Sequence, residues 1–269
     1  MTFAHLEVAV EGPVGTIWLN RPEKHNALSE DMWADLPLAV QELDGDPSVR
    51  VMVVAGRGPS FSVGIDLGML AGLTPPGRSE AERRQALRAK IKELQATMSA
   101  VADCRKPVVA AIHGYCLGAG MDLITACDLR LAAEGAVFSV RETRMGLVAD
   151  VGTLQRLPRI VSAGHVAELV FTGANIDGAR AAEIGLVNRV LPDQDQLMKA
   201  TRELAEAIAA NSPLVVEGIK AVLRAGAGRT VEEGLDYVAL WNSAYLLSDD
   251  LNEAITAHLE KRPPDFRGR

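Results

Sequence analysis

The runs "VMVVA" (51–55) and "VVAAI" (108–112) contain no polar residue at all. A strand with one wet face alternates apolar and polar residues, so uninterrupted runs of this length need cover on both faces. That requirement points to a sheet, largely parallel, with helices packed against it. A third run, "VGTIWL" (14–19), has the same bounded, β-branched character. Helical patterns separate the three. "LSEDMWADLPLAVQELDGD" opens with Ser29 as a helix N-cap ahead of two acids and runs to Gly45, with Pro37 expected to kink it or end its first part. "SEAERRQALRAKIKELQATMSAVADC" is a long amphipathic helix with a charged, solvated outer face. Strand and helix alternate as far as residue 194, which implies α/β organisation. From there the pattern is helical throughout, and a core of 1–194 followed by a helical C-terminal subdomain of 195–269 is expected. Trp241, Tyr245 and Leu246 exceed what a lone surface helix needs, so they belong to a subunit interface or to internal core.

The 269 residues, 48% of them hydrophobic, are enough to bury a substantial core. A net charge of −7 without any Lys/Arg-rich run argues against nucleic acid and anionic membranes as partners and for a small ligand. Cys104, Cys116 and Cys127 lack metal-site spacing and sit in apolar surroundings, as buried thiols of a reducing compartment do. With no N-terminal targeting pattern and no membrane-length apolar run, the expected location is cytoplasmic.

Several signatures fail on inspection. "GAGMDL" (118–123) completes no GxGxxG, there is no GxSxG, HExxH or GxxxxGK[ST], and the five histidines have no ligand spacing, so no metal site is expected. Two glycine-bearing turns after strands remain. In "VMVVAGRGPSFSVGIDL", Gly64 lets the backbone turn so that the Ile65 amide can face a pocket. In "VVAAIHGYCLGAGMDL", Gly118 and Gly120 flank Ala119 at an expected helix N-terminus, where unpaired N–H groups face outward. Two such amides converging would form an oxyanion hole; taken singly, each turn is ordinary strand punctuation.

With "NRPEKHNAL", "FSVGIDL", "IHGYCLGAGMDLITACDLRLA" and "LVFTGANIDGARAAEIGLVNRVLP" in this order, the chain resembles the enoyl-CoA hydratase/isomerase (crotonase) superfamily over roughly residues 5–265. The resemblance implies a ββα spiral core, a helical trimerisation region, homotrimers or hexamers, and a coenzyme A thioester whose carbonyl lies between the amides of Ile65 and Ala119. It implies substrate contacts at Lys24, Asn26, Ala27, Gly64, Asp66, Leu67, Gly118 and Lys261, and a cover over the channel from the loop "AGLTPPGRSEAE". Ordinary surface charge explains Lys24, Lys261 and Arg262 as well.

Three acids sort the subfamily. Hydratases of this kind carry two glutamates; here the first position is Asp122 and the second is Glu142. Where they have a Pro-Gly-rich loop with glycine, this chain has "GLVADVGTLQRLP" with Asp150. The trio resembles the Δ3,5-Δ2,4-dienoyl-CoA isomerases. Their reaction moves a proton from C2 to C6, too far for one carboxylate, so a second acid further along the acyl channel suits the chemistry. Glu142 is expected as base at C2 and Asp150, kept protonated by apolar neighbours, as donor at C6; Asp122 either tunes Glu142 or hydrogen-bonds to it. No cofactor is expected beyond the coenzyme A of the substrate. The same residues permit plainer roles: Asp150 as a helix N-cap, Asp122 as a first-turn acid, Glu142 as a surface charge. Enoyl-CoA hydration, or acyl-CoA binding without catalysis, are the alternative functions.

Overall fold

Each of the three apolar runs forms a strand, and all three lie side by side in one sheet. The computed structural model describes residues 2–71 and 75–269. In chain order its strands are β1 (Leu6–Glu11), β2 (Val14–Leu19), β3 (Val51–Gly56), β4 (Val108–Ile112), β5 (Tyr115–Leu117), β6 (Leu129–Ala133), β7 (Val137–Ser139), β8 (Ile176–Asp177) and β9 (Arg189–Leu191). Its α-helices are α1 (Glu30–Gly45), α2 (Leu67–Ala71), α3 (Glu80–Asp103), α4 (Ala119–Ala126), α5 (Thr153–Arg156), α6 (Ala163–Thr172), α7 (Gly178–Glu183), α8 (Gln194–Ala209), α9 (Pro213–Gly226), α10 (Val231–Tyr245) and α11 (Asp249–Glu260).

The large sheet has the order β1-β2-β3-β4-β6-β9 and is parallel except for the β1–β2 hairpin. Every residue of β3 and β4 is buried, as the apolar runs require. The two-residue period sorts them. Met52, Val54 and Ala110 face a core shared with α1, α3 and α4, whereas Val51, Val53, Ala55, Val109 and Ala111 face Leu197, Ala200, Ala205 and Ala209 of α8. Helix α8 therefore belongs to the packing of the sheet. The change of composition at 194 precedes the change of packing, and the helices independent of the sheet begin with α9.

A second, three-stranded sheet has the order β5-β7-β8, and Ser62 joins it through a bridge to Cys116. The chain thus lays a strand in the large sheet and then a strand or bridge in the small one three times over: β3 then Ser62, β4 then β5, β6 then β7. This is the expected ββα spiral, and it brings the ends of successive turns together at the small sheet.

Pro37 neither ends nor divides α1, which continues to Gly45. Proline lacks the N–H that Trp33 O would accept four residues back. The Thr97 hydroxyl of α3 donates to Trp33 O instead (2.9 Å), so the buried acceptor left without its helical donor is satisfied from a neighbouring helix. All three cysteines are buried and free.

Helix α9 is tied to the core by buried Lys220, whose Nζ donates to Asp128 Oδ2 (2.7 Å) and Lys106 O (2.8 Å). Trp241 of α10 packs over Gly218, where a Cβ would lie 2.5 Å from the indole Nε1. Helix α10 itself has no buried residue. Val231, Leu235, Leu240, Leu246 and Leu247 are exposed along and just after it. Among the described residues no helix is long and apolar enough to cross a membrane.

Candidate active site

The two glycine turns meet. Gly64 has φ +94, and a Cβ on it would lie 2.8 Å from Leu117 O and 3.1 Å from Ala119 N. Only glycine permits that approach. Gly118, the N-cap of α4, has φ +52 and supplies no side-chain cap. The Ile65 and Ala119 amides make no hydrogen bond among the described residues, although their neighbours do: Leu28 N donates to Gly64 O, Asp66 N to Leu28 O and Gly118 N to Ser139 O. Two free donors thus stand beside each other at the end of the small sheet.

Glu142 lies in a short 3-10 turn (Arg141–Met145) directly after β7. Its Oε1 is 3.5 Å from where a Cβ on Gly118 would stand, so the absence of a side chain there opens the space in front of the carboxylate. Its Oε2 is buried and has no hydrogen-bond partner. Burial, then the charge of Asp122, push the Glu142 carboxyl up to about 7.

Asp122, in the first turn of α4, is 1% exposed. Its Oδ1 accepts from Thr153 N at 2.6 Å, and its Oδ2 is buried without a partner. Burial raises it to about 6, against the opposing effects of the bond from Thr153 and the Arg156 charge. No hydrogen bond joins Asp122 to Glu142; they interact through charge alone. The capping role that Asp150 could have filled falls elsewhere: the N-cap of α5 is Gly152, and the carboxylate meeting the first amide of α5 is Asp122, from another helix. Asp150 instead opens onto the cavity, its backbone held by Gln95 Nε2 (2.6 Å to Asp150 O). Partial burial raises its carboxyl above the ordinary value.

These groups line one cavity of about 990 Å³. Lys24, Ala27, Gly64, Ile65, Asp66, Leu67, Gly118, Ala119, Asp122, Glu142 and Asp150 all border it, as expected. Asn26 does not. It is fully buried at φ +55, where its Nδ2 donates to Arg57 O and Ser60 O and its Oδ1 accepts from Arg21 N, so it holds the loop together beneath the site. Lys261 is not there either; it ends α11, away from this chain's cavity. Arg262 beside it pairs with Glu253 and Glu260. Asp66 borders the cavity with its charge already engaged: Arg21 Nη1 donates to it at 2.5 Å and Gly68 N at 2.8 Å, and the arginine holds its carboxyl below the usual range.

Two basic residues that the sequence does not single out also border the cavity, Arg141 and Lys90, the latter paired with Glu93 (2.8 Å), as does the apolar wall of Met145, Leu147 and Val148. A basic residue inside a charged helix looks like any solvated one. The exposed apolar side chains just before Asp150 were a usable signal. The loop expected to cover the channel lies partly outside the described residues, at 72–74.

The profile of the enoyl-CoA hydratase/isomerase family matches residues 10–269. The chain belongs to the enoyl-CoA hydratase/isomerase family. It is 47% identical over 251 residues to the peroxisomal Delta(3,5)-Delta(2,4)-dienoyl-CoA isomerase of Arabidopsis thaliana, spanning 92% of this chain and 90% of that one. With the mitochondrial protein of the same name from Rattus norvegicus it shares 42% over 249 residues, 91% of this chain and 76% of the relative. Among solved structures of the family, the enoyl-CoA hydratase of Bacillus anthracis superposes with a TM-score of 0.89 at 32% identity, covering 99% of this chain and all of that one.

Proposed function

We propose that this member of the family is a Δ3,5-Δ2,4-dienoyl-CoA isomerase acting in the oxidation of unsaturated fatty acids. The observation that carries the reading is the second acid: Asp150, eight residues after Glu142 in the same β7–α5 connection, borders the same cavity, and relatives bearing that name are similar over almost the whole chain.

The thioester carbonyl accepts hydrogen bonds from Ile65 N and Ala119 N, and Glu142 removes a proton from C2. The electron pair spreads through the C3=C4 and C5=C6 bonds to give a trienolate whose negative oxygen the two amides hold, an effect of about 3 kcal/mol per donor. Asp150 then gives its proton to C6, the double bonds settle at C2=C3 and C4=C5, and carbonyl character returns at C1. Glu142 ends protonated and Asp150 ionised, and exchange with water resets both. A proton shift needs neither a redox group nor a metal. Burial raises both carboxyls: Glu142 is brought to about 7, so that it is partly ionised at neutral pH, and Asp150 is shifted upward, the direction that the donor role calls for.

Lys24, at the mouth, is suited to the coenzyme A portion, with Ala27 and Leu67 beside it. Trimers are the proposed assembly, with the exposed apolar side chains of α10 as a surface that a second copy would cover. The Arabidopsis and rat relatives are peroxisomal and mitochondrial proteins. For this chain, with three buried free thiols, the cytoplasm is proposed.

The test offers purified protein a 3,5-dienoyl-CoA and, separately, crotonyl-CoA. Growth of the 2,4-diene absorbance with little hydration of crotonyl-CoA is the expected result. Hydration alone would make the chain a hydratase, and neither reaction would leave it a binding protein.

A further inference from the structure

Behind the loop that carries Asp150 lies a cation to which the proposed chemistry assigns no part. Arg156 ends α5 and folds its guanidinium back beneath the loop, where Nη1 donates to Val151 O (3.3 Å) and Nη2 to Ser99 Oγ of α3 (3.2 Å). Gly152 makes the room. Its φ is +137, and a Cβ there would stand 1.8 Å from Arg156 Nη1 and 2.9 Å from its Cζ. Any side chain at 152 would evict the guanidinium, so a backbone conformation that favours glycine coincides with the seat of a half-buried charge. The first amide of the same short helix, Thr153 N, is the donor that meets Asp122 Oδ1. Asp122 therefore faces, from a single element, a hydrogen bond to one oxygen and a positive charge.

We propose that Arg156 is a positioning residue for the proton transfer: its charge keeps Asp122 ionised, and the Asp122 anion in turn makes Glu142 a stronger base than its burial alone would. The proposal rests on the reading of Glu142 as the base at C2.

The surroundings leave Arg156 this role. Around Asp122 stand Glu142, Asp150 and the buried thiol of Cys116, none of which favours a second negative charge. Arg156 is the cation that opposes them. Arg156 itself is faced by Asp122, by Asp103 of α3 and by the thiol of Cys127, with Arg159 as the one like charge. Arg156 sits behind the loop and does not border the cavity, whereas Asp122 accepts from Thr153 N of Arg156's own helix and borders the cavity together with Glu142. An effect of Arg156 on Glu142 therefore passes through Asp122, and this fixes its direction. Without the arginine, Asp122 takes a proton more readily, its negative charge is lost from the neighbourhood of Glu142, and Glu142 ionises at lower pH.

The experiment compares full-length wild type, Arg156→Gln, Asp122→Asn and the double variant by two measurements: the pH profile of dienoyl-CoA isomerisation, and titration of the carboxyl carbons of ¹³C-labelled glutamate followed by NMR. Glutamine retains a donor for Val151 O while removing the charge. The acidic limb and the Glu142 titration should each fall by roughly one pH unit in either single variant. The double variant should fall no further than Asp122→Asn, and Arg156→Lys should keep the wild-type limb. If Arg156→Gln fails to fold, Ser99→Ala, which frees one end of the guanidinium, should give a smaller shift of the same sign. An unmoved Glu142 titration in a folded variant, or a shift as large on the Asp122→Asn background as in wild type, overturns the proposal. Loss of the isomerase reading would appear differently, as a wild-type protein inactive on the dienoyl substrate, and the carboxyl titration would still decide the role of Arg156.

Discussion

The floor and the wall of the cavity are built in opposite ways, and each holds one of the two acids that the isomerisation needs. The floor is buried and closely packed. All eight residues of α4 are buried, Gly64 is pressed against Ala119, and Glu142 and Asp122 each keep one oxygen without a partner. The wall is the loop that follows Glu142, whose side chains face outward into the open cavity: Leu147 is 44% exposed and Val148 75%, with Asp150 next along the chain after Ala149. A floor can fix a base and two amides to within fractions of an ångström. A wall of this kind tracks an acyl chain and reaches a carbon further along it. The difference predicts that changes to the floor affect every reaction of a thioester in this site, whereas changes to the wall affect only the long proton shift.

Glu142→Gln should have the largest effect. Removing the base leaves the amides and the binding site in place, so kcat for isomerisation should drop by about 10³-fold with KM altered by no more than a few-fold. A normal kcat would remove Glu142 from the mechanism and dissolve the comparison. Asp150→Asn should cost about 10²-fold in the same assay. It should leave exchange of the C2 proton with deuterated solvent at nearly the wild-type rate, because the floor still forms the trienolate. If exchange and isomerisation fell together, the two acids would not be acting at separate carbons. Gly64→Ala strikes the floor through its backbone: its Cβ would stand 2.8 Å from Leu117 O, so the amide pair must part. Both isomerisation and exchange should fall, by about 10²-fold.

The same division governs how far these parts were legible in the sequence. Strands β3 and β4 could be read because continuous apolar runs have few alternatives, and the glycines at 64 and 118 because a turn after a strand is a local event. Asp150 stood out as a polar residue in an apolar stretch. What escaped is what depends on a distant partner. That Thr97 would satisfy Trp33 O and so carry α1 through Pro37 is not written near Pro37. Nor could the sequence show that Asp122, thirty-one positions away, would meet the amide of Thr153 and relieve Asp150 of a capping role. The resemblance implies Asn26 as a substrate contact, and nothing near it in the sequence shows that its side chain bonds the backbone of Arg21, Arg57 and Ser60 instead. Helix α8 reads as part of the C-terminal region because its sequence is as helical as those of α9, α10 and α11, while its small apolar face, Leu197 with Ala200, Ala205 and Ala209, packs on the sheet.

The floor should also cost stability at the pH where it works, and this separates it from the wall most quietly. Glu142 titrates near 7 in the folded protein, against about 4.5 in an unfolded chain. Between these values the native state holds a proton that the unfolded state has released, so this group's contribution to stability is complete below about pH 4.5 and is lost as the pH rises to 7. Above 7 the native protein carries a buried carboxylate whose Oε2 has no partner. Glu142→Gln, nearly inactive, should for that reason be more stable than wild type at pH 8, by on the order of 2 kcal/mol, and indistinguishable from it at pH 4. Asp150→Asn, on the open wall, should show little of this pH-dependent gain. Urea unfolding of the three proteins at the two pH values measures it. Equal gains for both variants, or a gain for Glu142→Gln that does not shrink on acidification, would mean that the base is not held against its solvation in the way the burial of the floor implies.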